Sequence, residues 1–125
     1  MTHQWDDEMG EISGFGGGYE AVCRAMVRAG MQWVDEHPEA NPSYKSLKGV
    51  FGLIDENNED AVSLRKAMMD APVYWRGELI QKRAGDDCTG AMYHAAVEHV
   101  RYYAIHGWEK YREQMLKSNE TEEHP

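Results

Sequence analysis

The sequence is poor in the residues and patterns that mark several large protein classes. Only two of its 125 residues are cysteines, Cys23 and Cys88, and they form no CxxC pair. This argues against a disulfide scaffold and against a structural zinc site. No apolar run approaches the ~18 residues that a membrane-spanning helix needs. The acidic N-terminus also lacks the apolar region of a signal peptide. We therefore expect no membrane association and a reducing, cytoplasmic setting.

Positive charge is also scarce. Lysine and arginine number 13 against 22 acidic residues, which gives a formal net charge of −9. Because nucleic-acid binding needs clustered Lys and Arg, free nucleic acid is not an expected partner. An acidic inhibitor of a basic protein fits this charge, although an acidic balance is also ordinary among globular proteins.

Apolar residues recur at spacings of three and four, which predicts an all-α fold. We expect one compact helical domain of about four helices with a glycine-rich N-terminal loop. Its core spans about residues 12–117, and residues 1–11 and 118–125 are expected to be flexible. The first helix is predicted from Gly18 or Tyr19 to Glu36, since Pro38 follows. Gly30, within its apolar stripe, suggests the close approach of another helix.

The middle of the chain has a less regular pattern. The segment at 43–60 is predicted to form a short helix or a turn that packs against the core. Asn57 or Asn58 is a suitable N-cap for a second helix that Pro72 ends. The stretch VYWRGELIQKRAG then predicts a short helical piece at about 78–83, ended by Gly85.

The last long helix is predicted to begin at Asp87 or Thr89, either of which can cap it. Gly107 is expected to break or kink that helix. Trp108, Tyr111 and Met115 continue an apolar pattern beyond the break, so the helical region extends towards the C-terminus.

A glycine-rich stretch directly precedes the first helix. Its glycines could expose backbone N–H groups to a phosphate at the helix N-terminus, or they could simply form a flexible lead-in that lets Phe15 fold back on the core. Both interpretations stay open. The stretch has no P-loop lysine, and Tyr19 stands where the dinucleotide fingerprint needs its last glycine.

The segment GDDCTGAMYHAAVEH, residues 85–99, is the second candidate site. Cys88 precedes a helix, where the helix dipole is expected to lower the pKa of its thiol. His94 lies about 9 Å further along the same helix and cannot reach Cys88 there. The alternative interpretation is a capping turn with a small buried thiol.

The remaining polar clusters give weaker signals. His94 and His99 diverge around a helix, so we predict solvated surface histidines and no metal site. DENNED, residues 55–60, lacks the ligand spacing of an EF-hand and is better explained as a helix cap. The aromatic residues near the last helix, and Tyr74 with Trp75, could stack a base, but such stripes more often form core.

Three segments carry a resemblance to known sequences: SGFGGGYEAVCRAMVRAG, GVFGLIDENNEDA and GDDCTGAMYHAAVEHVRYYAIHGWEKY. In order and wording they resemble a family of small proteins from tailed phages and prophages, over residues 9–111, with residues 72–82 as an addition. The resemblance supplies no activity, fold or catalytic residue. It implies a host bacterial cytoplasm and an accessory role, either sequestering a nucleotide signal of host immunity or blocking a host protein.

Three functions follow as hypotheses. The first is a binding module for a phosphorylated small molecule, with Arg24, Arg28 or Arg101 as counter-charges and no cofactor, metal or catalytic residue. The second is an acidic inhibitor of a host protein, and the third is a small cysteine- or histidine-dependent hydrolase. A homodimer is compatible with all three. The predicted ligand-binding residues are Gly14, Phe15, Gly16, Gly17, Gly18, Tyr19, Arg24, Asp87, Cys88, Thr89, Gly90 and His94.

Overall fold

The structure is a computed structural model that describes residues 20–46, 57–75 and 77–123. These residues form a mostly helical domain with one small β-hairpin, which confirms the predicted all-α class. The helices are α1 (Glu20–Glu36), α2 (Glu59–Met69), α3 (Gly90–His106) and α4 (Trp108–Glu123). The strands are β1 (Val73–Trp75) and β2 (Glu78–Gln81), and 3-10 helices span Pro42–Ser46 and Ala84–Asp87. None of the described helices is both long and apolar enough to cross a membrane.

Helix α1 lies at the centre of the fold, because α2 and α3 both pack against it. Its apolar stripe faces them, and Met26, Val27 and Met31 are completely buried. The helix ends at Glu36, as predicted, just before Pro38. The glycine-rich segment that precedes α1 in the sequence lies outside the described residues.

Gly30 is a point of close approach between α1 and its two neighbours. A Cβ built on Gly30 would lie 3.1 Å from Cγ1 of Val100 on α3, still closer to its Cγ2, and 3.3 Å from Cγ of Met68 on α2. Such distances are tighter than ordinary carbon contacts. The prediction that Gly30 admits another helix is confirmed, and it admits side chains from two.

A second, smaller cluster fastens the C-terminal end of α1. The Trp33 indole Nε1–H donates to Ser63 Oγ of α2 at 3.0 Å. Its ring meets Tyr44 edge to face, with centroids 5.3 Å apart, and the two rings are buried with Ala61. The 3-10 helix at Pro42–Ser46 packs here through Tyr44. The apolar part of the predicted element at 43–60 lies outside the described residues, which resume at 57.

Side-chain caps define the starts of α2 and α3. Asn58 Oδ1 accepts from the Ala61 N–H at 3.1 Å, and Thr89 Oγ1 accepts from the Met92 N–H at 3.2 Å. Each cap is one of the two alternatives that the sequence offered. Both satisfy a backbone donor that a helix start would otherwise leave without an intrahelical partner.

The segment after Pro72 is a β-hairpin, so the short helix predicted at about 78–83 is wrong. β1 and β2 pair antiparallel, with Tyr74 opposite Leu79 and Trp75 opposite Glu78. Gly77 has a φ of 83°, the left-handed conformation that tight hairpin turns require. The β-branched and aromatic residues of this segment favour a strand more than a helix. Gly85 lies inside the following 3-10 helix rather than ending an α-helix.

The break predicted at Gly107 is confirmed. Gly107 has a φ of 86° and donates its N–H to the Tyr103 carbonyl at 2.8 Å, which ends α3. The chain then starts α4, whose Trp108, Tyr111 and Met115 are buried as expected. Helix α4 continues to Glu123 and so includes residues 118–123, which the sequence predicts as part of a flexible tail.

His99 departs from the predicted surface histidine. It is half-buried on α3, and its Nδ1 lies 3.0 Å from the Tyr111 hydroxyl of α4. Burial lowers the pKa of His99 and raises the pKa of Tyr111 well above its usual value. His99 therefore helps to join α3 to α4 as a neutral group.

We expect Gly30→Ala to lower the free energy of unfolding by about 1–3 kcal/mol. The overpacking against Val100 outweighs the roughly 1 kcal/mol that alanine gains in helix propensity. Urea unfolding followed by circular dichroism measures the change. In a Val100→Ala background, Gly30→Ala should cost less free energy of unfolding than it does in the unmodified protein, because the new methyl group no longer meets the valine side chain. Strict additivity of the two substitutions would show that this contact is not the cause.

The buried His99 makes stability depend on pH. Because its pKa is lower in the folded than in the unfolded protein, the unfolded protein binds more protons as pH falls below about 6.5. The free energy of unfolding should therefore fall between pH 7.5 and pH 5, and less steeply in His99→Gln. Urea unfolding at both pH values tests this, and an equal loss in the two proteins would contradict it.

Candidate functional site

A half-open groove of about 290 Å³ lies between the outer face of α1 and the start of the hairpin. Six residues of α1 form one side, and Ala71, Pro72 and Tyr74 form the other. The volume is close to the lower end of the range typical of small-molecule pockets, roughly 300 Å³. We call it the α1 groove.

The α1 side of the groove follows from two rows of residues spaced four apart. Side chains at that spacing lie above one another on a helix. One row consists of small methyl groups, which leave space, and the other consists of long polar side chains, which line it. The rows are Ala21, Ala25 and Ala29, and Arg24, Arg28 and Gln32.

Arg24 is the most constrained polar group of the groove. Its guanidinium forms an ion pair with Glu20, one turn earlier on the same helix. Its Nε atom is buried and has no hydrogen-bond partner among the described residues. Arg28 lies one turn further along and is exposed. The α1 side of the groove therefore carries two arginines, and Arg24 is paired with Glu20.

Tyr74 supplies the aromatic surface of the opposite side. It belongs to β1, and 56% of its surface is exposed although the preceding Val73 is completely buried. Val73 thus anchors the strand in the core while Tyr74 stays accessible beside α1. An exposed ring in this position can stack against a flat ligand.

At the second predicted site, the start of α3, Thr89 caps the helix. Thr89 accepts the Met92 N–H through its hydroxyl and the Tyr93 N–H through its carbonyl. Asp87 ends a 3-10 helix, and Cys88 is extended between that helix and the cap. The capping turn that the sequence offered as an alternative is the arrangement found here.

The expected lowering of the Cys88 thiol pKa is wrong. Burial raises the pKa of Cys88 and outweighs the lowering by a hydrogen bond from the Tyr93 backbone, and the nearby Asp87 carboxylate adds a smaller rise. The Cys88 Sγ lies 3.8 Å from Sδ of the fully buried Met26 and 3.3 Å from its neighbour's carbonyl, that of Thr89. Burial, with a smaller effect of Cys88, raises the pKa of Cys23 to about 11. The raised pKa values reduce the thiolate fraction of both cysteines.

The predicted ligand residues do not come together in one site. Arg24 lines the α1 groove, whereas residues 87–90 and His94 are not part of its lining. Cys88 contacts Met26, which lies on the core-facing side of α1, away from the row of Arg24. Of the other predicted counter-charges, Arg28 lines the groove, but Arg101 donates to the Lys45 carbonyl and pairs with Glu98 elsewhere.

The glycine-rich part of the prediction, Gly14, Phe15, Gly16, Gly17, Gly18 and Tyr19, lies outside the described residues. Within residues 20–46, 57–75 and 77–123, no three histidine, cysteine or acidic side chains are grouped closely enough to hold a metal ion.

Comparisons with protein-family models, with curated proteins and with solved structures give no match to this chain.

Sequence reasoning missed the alanine row, Gln32 and Tyr74 as groove residues. The pair Arg-Ala repeats after four residues, at 24–25 and 28–29, and this repeat is a readable sign of a cationic row beside a row of small residues. Tyr74 gave no comparable sign, because its position depends on a hairpin that was not predicted.

Alkylation tests the chemistry assigned to the two cysteines. At pH 8 we expect iodoacetamide to modify Cys88 more slowly than free cysteine, and Cys23 more slowly still, because raised pKa values reduce the thiolate fraction. Mass spectrometry of peptides gives both rates, and the same protein in urea is the control. Faster reaction at Cys88 than at free cysteine would contradict the assignment.

Proposed function

We propose that the protein binds a phosphorylated small molecule, a nucleotide or cyclic nucleotide signal, in the α1 groove. The observation that carries the proposal is the placement of Arg24 and Arg28 on one side of a groove whose other side presents an exposed Tyr74. Two guanidinium groups one helical turn apart suit a phosphate group, and an aromatic ring suits a base.

The buried Nε of Arg24 supports an anionic ligand. A buried donor without a partner costs about 1–3 kcal/mol. The Nε of Arg24 has none among the described residues, while another part of the same guanidinium already binds Glu20. A phosphate oxygen that accepts from Nε would satisfy this donor once the Arg24 side chain turns its Nε, which is buried here, towards the groove, and it would share the guanidinium with Glu20.

The charge of the whole chain sets limits on such binding. With a formal charge of −9, long-range attraction of an anion is not expected, so short-range contacts in the groove must supply the affinity. Binding that depends on such contacts is sensitive to the loss of a single arginine. This sensitivity makes the proposal testable by one substitution.

The biological setting is a further part of the proposal. In the resemblance to phage proteins, a small protein that binds a nucleotide signal would act in the host bacterial cytoplasm by sequestering a messenger of host defence. This setting rests on that sequence resemblance alone. The acidic inhibitor and the hydrolase stay predictions, and no feature of the described residues favours either of them.

Substitution of Arg28 tests the groove. Arg28 is exposed, so Arg28→Ala should leave the fold intact and raise the dissociation constant for a bound nucleotide about tenfold or more, since a hydrogen bond to a charged group contributes about 1.5–3 kcal/mol. Isothermal titration calorimetry with AMP, cyclic AMP, a cyclic dinucleotide and inorganic phosphate measures it.

Lys110→Ala on α4 is the matched control, because it removes one exposed positive charge outside the groove. Its dissociation constant should equal that of the unmodified protein. The proposal fails if none of the four ligands binds, or if both substitutions weaken binding equally.

A further inference from the structure

Three sulfur-bearing side chains lie close together where α1 packs against the start of α3. Cys23 and Met26 belong to the buried side of α1, and Cys88 directly precedes the Thr89 cap of α3. The Cys88 Sγ atom lies 3.8 Å from the Sδ atom of Met26. We call Cys23, Met26 and Cys88 the sulfur cluster. The α1 groove does not use it, because the groove lies on the other side of α1.

Helix geometry brings Cys23 to this cluster. Side chains three residues apart are neighbours on a helix, and a long side chain leans over the turn that precedes its own Cα. Met26 therefore extends its sulfur over the turn that contains Cys23. Cys88 also raises the pKa of Cys23 electrostatically, which requires the two thiols to lie near each other. Each of the three sulfurs thus has the other two as neighbours.

The measured sulfur–sulfur separation suits two ligands of one metal ion. With metal–sulfur bonds of about 2.3 Å, the donors of a tetrahedral or trigonal site lie roughly 3.8–4.0 Å apart. The 3.8 Å between Cys88 and Met26 falls in this range, so an ion that binds both sulfurs requires no change in their separation. Both cysteines are free thiols and are therefore available as ligands.

The chemistry of the donors selects the ion. Thiolate and thioether sulfurs are soft ligands that favour Cu(I), whereas structural zinc sites almost always have four ligands from cysteine, histidine and carboxylate side chains. In the part of the chain that the structure describes, no third histidine, cysteine or acidic side chain joins the two thiols. We propose that Cys23, Met26 and Cys88 bind one Cu(I) ion, with two thiolates and one thioether as its ligands.

The surroundings of Cys88 support the entry of a cation. Cys88 is only half-buried, whereas Cys23 and Met26 are buried, so the ion reaches the cluster past Cys88. The nearby Asp87 carboxylate and the formal charge of −9 both attract a cation. A hydrogen bond from the Tyr93 backbone acts to lower the pKa of Cys88, and such a bond also stabilises a metal-bound thiolate.

Binding exchanges protons for the metal ion and changes no oxidation state. Each thiol loses its proton as its sulfur bonds to Cu(I), so one ion releases two protons and the site gains one net negative charge. Both thiols have raised pKa values and are protonated at neutral pH. The affinity for Cu(I) should therefore rise about a hundredfold per pH unit near neutrality.

Competition for copper with bicinchoninate, a coloured Cu(I) chelator, tests the site in anaerobic buffer that contains ascorbate. We expect each folded chain to take up one Cu(I) ion and Cys88→Ala to take up none. Met26→Leu, which conserves volume, should weaken binding about tenfold or more, because it removes one ligand. Met31→Leu is the matched control, since Met31 is also fully buried on α1, and it should bind like the unmodified protein. Circular dichroism checks the fold of each variant.

X-ray absorption spectra of the copper-loaded protein test the ligands, and we expect three sulfur neighbours at about 2.3 Å. The proposal is overturned if the folded protein takes up no Cu(I), or if uptake survives Cys88→Ala. Equal affinities in Met26→Leu and Met31→Leu, nitrogen or oxygen neighbours of the ion, or an affinity that is the same at pH 6.5 and pH 7.5 would also overturn it. None of these outcomes depends on a ligand in the α1 groove.

Discussion

The missing side chain at Gly30 is the constraint on which the packing around α1 depends. Because no Cβ is present there, Val100 of α3 and Met68 of α2 both reach the backbone of α1. The two partner helices therefore cover the same side of α1, where Met26, Val27 and Met31 are fully buried. The opposite side keeps its polar row accessible, and this is the side on which the groove forms.

The sequence predicted the buried apolar stripe of α1 but not the hairpin that lies beside the outer face of this helix. The apolar stripe follows from local periodicity and the ending from Pro38, and both hold in the structure. The position of Tyr74 does not follow in this way, because it depends on a hairpin whose short strands compete with a helical interpretation. That hairpin is held by contacts distant in sequence, such as the Ala84 N–H to the Ala71 carbonyl at 2.8 Å.

The sequence predicted ligand sites at the starts of helices, whereas the groove proposed as the site lies along the outer face of α1. At α3 the sequence offered Asp87 or Thr89 as the cap, and Thr89 is the one found, where its hydroxyl takes up the Met92 N–H. Cys88 is drawn against Met26 and loses the acidity that a helix start was expected to give it. Arg24 keeps a buried donor without a partner among the described residues, and this is the observation on which the proposed placement of an anionic ligand on the face of α1 depends.

The central claim is that this outer face of α1, and not the start of α3, is the ligand site. A titration of the ¹⁵N-labelled protein with AMP, followed by two-dimensional ¹H–¹⁵N correlation spectra, tests it most directly. The account predicts shifts at the amides of Ala25, Ala29 and Tyr74 and at the side-chain Nε–H of Arg24. Shifts confined to residues 87–93, or none at saturating AMP, would contradict it.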